Sequence, residues 1–187
     1  YVALASQGRE VPLEKIQALA RAARYWDTRR AALHLLLQLD LAWIQHGQAP
    51  RSLALFQTLA VEVPDSLDWD RQDLWADALL MAAQLDGALG KPLSLDGMTQ
   101  LLERFSADFP RARAKISAAI AKALAQAPAD LVSRSPKGPA ALRALVRTLL
   151  QKVTVGDADV LDAAHALAAA HVFALNHQEQ DPDKWLT

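Results

Sequence analysis

The sequence predicts an all-α protein, and three observations carry that expectation. The chain of 187 residues is rich in Ala and Leu, with only 7 Gly. Val, Ile and Thr are sparse and nowhere alternate with polar residues over a strand's length, as a half-buried strand would require. Residues 31–44, AALHLLLQLDLAWI, are apolar apart from His34, Gln38 and Asp40. His34 and Gln38 stand four apart, one narrow polar stripe on a helix otherwise apolar nearly all round. Such a helix must be surrounded by others. The length suits one all-helical domain, 1–187, able to bury a sizeable core.

The remaining elements follow from punctuation and period. Pro12 suits a first helical turn, and Leu13, Ile16, Leu19, Ala20 and Ala23 repeat at helical spacing, predicting a helix over 12–25. Asp27 or Thr28 can cap the second helix, which runs to residue 46 before Gly47. Pro50 and Ser52 reset the chain for a third over 53–61. Ser66 and Asp68 are cap candidates for a fourth over 69–88, ended by Gly90. Pro92 and Asp96 introduce a fifth over 97–107, and Pro110 opens an Ala-rich sixth over 110–127. Residues 128–133 read as a short turn, and SRSPKGP, 133–139, has loop composition. Two last helices are expected over 140–152 and 157–177, with Gly156 and Asp157 as break and cap. The tail, 178–187, is polar, and Trp185 can pin it back.

The helix pairs are related to one another. The second helix, Gly47, Pro50, the third helix and Pro64 are echoed by the fourth helix, Gly90, Pro92, the fifth and Pro110. This predicts antiparallel helical hairpins over about 12–110, repeated at roughly 40 residues. The basic and C-terminal helices then occupy about 111–177. Leu36, Leu39, Asp40, Trp43, Gly47, Ser52, Phe56 and Pro64 keep the spacing of a tetratricopeptide repeat, and the stretch resembles one degenerate copy of that family. Leu36 stands for the usual Trp, Ser52 for Ala, and Asp40 for the Gly that lets the two helices close. A carboxylate at that position must either splay the pair or find a partner. The resemblance implies an α-superhelical scaffold that binds a peptide or protein in a groove. An irregular helical bundle is the other architecture open to these elements.

Composition excludes several chemistries. Without Cys there are no disulfides, thiolate metal sites or Cys nucleophiles. The run at 33–44 is too short to span a bilayer, which takes about 20 residues, so no membrane association is expected and cytoplasmic is the default location. No secretory pattern opens the chain. It begins at Tyr1 rather than Met, which implies a further segment upstream that could itself carry the activity.

The formal net charge of −1 conceals a segregation. Residues 111–152 hold nine basic side chains against one acidic, a balance of +8; residues 61–110 hold ten acidic against three basic, a balance of −7. Such a division can serve an anionic partner, or the two segments can face each other. Arg111, Arg113, Lys115, Arg143 and Arg147 are the candidates for an anion or partner site. A Gly-bearing loop, 135–138, precedes the helix of Arg143 and Arg147 and could present a phosphate to its N-terminus. P-loop spacing is absent, and no recognition-helix motif or aromatic interleaving supports nucleic acid.

Other candidates for chemistry are weak. Asp70, Asp73 and Asp77 share a face of the fourth helix, with Asp68 before it. They faintly resemble the aspartate-rich motif of helical prenyl-transferring enzymes, but acids near a helix N-terminus are favoured by its dipole alone. Asp162 and His165 stand one turn apart within AHALAAAH, loosely like the motif of histidine phosphotransfer domains. There Leu167 fits, while Ala168 and Ala169 replace the Lys and Gly that receive the phosphoryl group. His165, His171 and His177 rotate away from one another. Trp69 and Trp75, at helical spacing, read as core edge. No catalytic residue, metal site or cofactor is assigned.

The expected function is therefore a non-catalytic helical interaction, regulatory or scaffold module with a protein or peptide partner. The alternatives are a nucleic-acid or anionic-ligand binder using the basic segment and, behind it, an all-α enzyme using Asp and His. Neither the partner nor the oligomeric state is legible.

Overall fold

The computed structural model describes residues 1–6, 10–65, 67–105, 108–126, 131–132 and 139–152. Those residues form eight bounded helices joined by turns, with no strand among them. We number them α1 (Val2–Ser6), α2 (Leu13–Ala22), α3 (Trp26–Gln45), α4 (Leu53–Val61), α5 (Trp69–Ala88), α6 (Leu95–Arg104), α7 (Pro110–Gln126) and α8 (Pro139–Lys152). The expected helix over 157–177 and the tail lie outside the described residues. The contacts divide the chain into two compact units, Tyr1–Pro92 and Leu93–Thr187. The boundary falls between α5 and α6, within the second expected hairpin.

In the first unit α3 is the central element. It packs against α1, α2 and α5, while α4 lies against α5. Leu33, Leu36, Leu37, Leu39 and Trp43 of α3 are buried in one cluster with Leu55 and Phe56 of α4 and Met81 and Leu85 of α5. Leu36, Leu39, Trp43 and Phe56, four of the residues that carry the repeat-like spacing, thus belong to one buried cluster. His34 and Gln38 are exposed, as the polar stripe requires. In α5, residues 74–78 are all buried, so this turn is covered on every side. Full burial of consecutive residues accounts for the lack of any polar face there.

Helix ends follow local rules with two departures. Gly47 (φ 73°) and Gly90 (φ 80°) both adopt the left-handed conformation just past a helix. Gln48 N–H then donates to Trp43 C=O at 2.8 Å, and Lys91 N–H to Asp86 C=O at 2.8 Å, the paired closure that satisfies orphan carbonyls. Asp68 caps α5 by accepting Arg71 N–H at 3.0 Å. By contrast, α3 begins at Trp26, ahead of the expected caps Asp27 and Thr28, with no side-chain cap. Similarly α6 starts at Leu95 because Ser94, not Asp96, accepts the Gly97 N–H at 3.1 Å, and it ends at Arg104 rather than 107. The five residues of α1 form a helix that the sequence did not announce.

The second unit is built on the same principle. Leu95, Met98 and Leu102 make one buried face of α6, which packs against α7 and α8. Ala112, Ile116, Ile120 and Leu124 of α7, and Leu142, Leu145, Val146 and Leu149 of α8, supply its apolar interior.

Candidate functional site

Of the residues singled out by charge, those whose side chains are described differ in exposure. Arg111 is exposed, Lys115 half-buried and Arg147 exposed, whereas Arg113 is buried on α7. Arg111 and Lys115 stand four apart and share a face, and Arg113 between them turns inward. Arg143 belongs to α8, but its side chain lies outside the described residues, as do residues 133–138, Asp162, His165, His171 and His177.

The acidic residues of α5 also diverge. Asp68 pairs with Arg71 at 3.2 Å while capping the helix. Asp70 is exposed, Asp73 is half-buried, and Asp77 is buried and paired with Arg30 of α3 at 3.1 Å. Among the described residues no three carboxylates or imidazoles are grouped to hold a metal ion. These acids serve helix start and helix packing.

Asp40 finds the partner its position demands. Its carboxylate is fully buried and accepts Arg51 N–H at 2.8 Å and Ser52 N–H at 2.9 Å, the groups leading into α4. Burial raises its pKa, with the two backbone bonds, Ser52 and the Arg51 charge offsetting part of the rise. Arg51 lies over the Trp43 ring, 4.6 Å from its centroid. Both line a cavity of about 710 Å³ together with Glu10, Glu14, Lys15 and Gln48.

The feature most exposed to a partner is the turn from α4 into α5. Val61, Val63, Leu67 and Trp69 are 58–86% exposed there, interleaved with Glu62, Asp65, Asp68 and Asp70. Local bonds fix this turn. Trp75 Nε1–H donates to Ala60 C=O at 2.8 Å, pinning the end of α4. Asp65 accepts Leu67 N–H at 2.9 Å through its side chain and Asp68 N–H at 3.0 Å through its carbonyl. Leu67 and Trp69 line an open depression of about 720 Å³ together with Asp65, Asp68, Asp70 and Arg71.

Trp69 corrects the expectation that it and Trp75 both edge the core: Trp75 is buried and Trp69 is 58% exposed. Six residues at about 100° each place them about 120° apart around the helix, which is where the sequence held the signal. No helix among the described residues is long and apolar enough to cross a membrane. Comparison with protein-family models, curated proteins and solved structures found no match for this chain.

Proposed function

We propose that this chain is a helical interaction module without catalytic activity of its own, which docks a protein or peptide partner on the α4–α5 turn. One observation carries the reading: four apolar side chains within nine residues, Val61, Val63, Leu67 and Trp69, are exposed where α4 leads into α5. Scattered single apolar residues on a surface are ordinary, whereas a contiguous patch with a polar rim is the usual mark of an interface. The rim is acidic, so the partner it fits is a segment with Lys or Arg flanking a large apolar anchor. The tetratricopeptide-like spacing of 36–64 agrees with a scaffold role, and the location proposed is cytoplasmic.

Selection from a displayed random-peptide library tests this directly. The expected winners carry basic residues around Leu, Phe or Trp and lose binding to Leu67→Ala/Trp69→Ala, whose sites lie on the surface. Winners that bind the double variant equally well would end the proposal. The nucleic-acid alternative is tested by titration with duplex and single-stranded oligonucleotides at about 150 mM salt, where screening extends over about 8 Å. No micromolar binding is expected. Tight, steeply salt-dependent binding abolished by Arg143→Ala/Arg147→Ala would favour the basic segment instead.

A further inference from the structure

A second cavity, of about 310 Å³, opens in the first unit where α2, α3, the end of α4 and α5 meet. Its floor includes Leu33, Leu74 and Trp75, all buried. Its lining also holds three arginines, each from a different helix: Arg21 of α2, Arg29 of α3 and Arg71 of α5. Glu62 is the one acidic residue of the lining, so the balance of charge is +2.

The arginines differ in how far they are committed. Arg29 donates Nε–H to Ala20 C=O at 3.3 Å, which holds its side chain across α2 and leaves the terminal nitrogens to other partners. Arg71 uses Nε on Asp68. Arg21 has no ion pair among the described residues. Guanidinium groups present forked donors that match carboxylate and sulfonate oxygens in pairs. An apolar floor with a few convergent polar groups is the general form of a small-ligand site, and this volume lies at the small end of that range.

We infer that this cavity binds a small amphipathic monoanion: a carboxylate whose oxygens meet the arginines and whose aliphatic or aryl body covers Leu33, Leu74 and Trp75. At about 30 Å³ for each water-sized group, the space takes on the order of ten non-hydrogen atoms, the size of octanoate. The cavity borders the proposed docking turn, sharing Glu62, Val63 and Arg71 with it, but Leu67 and Trp69 are not part of its lining and so separate the two in the test.

The test uses the full chain and the small aryl carboxylate 4-fluorobenzoate, followed by its fluorine resonance and displaced by octanoate or by octanol. Octanoate should displace it at a concentration about tenfold to a hundredfold below that of octanol, the range given by a charge-assisted hydrogen bond. Arg21→Gln/Arg71→Gln, which leaves the Arg29–Ala20 bond in place, should bring octanoate close to octanol. Leu67→Ala/Trp69→Ala should leave octanoate displacement unchanged, and methyl resonances of Leu33 and Leu74 should shift on its addition. Equal displacement by acid and alcohol, an unaltered arginine double variant, or loss of displacement in the Leu67/Trp69 variant would each overturn the assignment.

Discussion

The Asp40 carboxylate of α3 takes the Ser52 N–H at 2.9 Å, twelve residues further along the chain, and so fixes where α4 begins. Removing it in Asp40→Ala strands two N–H groups and should destabilise the protein by about 1–3 kcal/mol, the penalty for an unmet buried donor. Asp40→Asn keeps one acceptor and should cost less. The pH dependence has a definite sign. Because burial raises the folded-state pKa above its ordinary 3.8, the ionised form is disfavoured by folding. The contribution is fully present below 3.8 and is lost as pH rises through the folded value. Urea denaturation at several pH values should show the wild-type lead over Asp40→Asn narrowing from about pH 4 toward neutrality. A widening lead would contradict it.

Arg30 and Asp77 join α3 to α5 by a pair in which only the acid is buried. Truncation of the cation should therefore hurt more than neutralisation of the anion. Arg30→Met leaves a carboxylate in the interior and should cost about 2–4 kcal/mol, toward the lower part of the range for breaking a buried pair. Asp77→Asn should cost less, since its partner can turn to water. Chemical denaturation of both variants checks the order.

Leu36 and Phe56 are both fully buried in the same cluster. Leu36→Ala should destabilise by about 2–5 kcal/mol and Phe56→Ala by about 3–5 kcal/mol. A loss below about 1 kcal/mol, the level of a typical surface change, would mean that the core around α3 collapses onto the gap.

Gly47 has open space around an added Cβ, yet its φ is +73°. Gly47→Ala should therefore lower stability by about 1–2 kcal/mol through backbone strain alone. Gly87 is helical and half-buried, with no strained angle. Replacing it with Ala should stabilise α5 by up to about 1 kcal/mol. Thermal melts of the two variants should move in opposite directions.

Much of the fold was legible because breakers and caps stand at the helix ends. Residues 53–61 and 69–88 are delimited by Pro50, Pro64, Asp68 and Gly90, and the structure gives α4 and α5 those bounds. The start of α3 was not legible, because Trp26 opens it without a side-chain cap. Nor was α1, too short to show a period. Asp40 announced that it needed a partner, but a backbone amide leaves no mark in sequence. The arginine-lined cavity was hidden for a related reason: Arg21, Arg29 and Arg71 each look like solvated surface charges until three helices bring them together. Within the basic run, alternate residues of a helix point to different faces, so Arg113 turns inward while Arg111 is exposed, a difference the charge count does not carry.

The burial of α5 on all sides at 74–78, together with its packing on α3, has a consequence for how the molecule breathes. Its side chains are nearly all removed from solvent, so its amides should exchange with solvent deuterium far more slowly than those at the helix ends. The amides of α1, five residues long at the start of the chain and packed mainly on α3, are free to exchange through local fraying. Hydrogen exchange should then rank the helices by enclosure rather than length, with residues 74–78 slowest and 2–6 fastest.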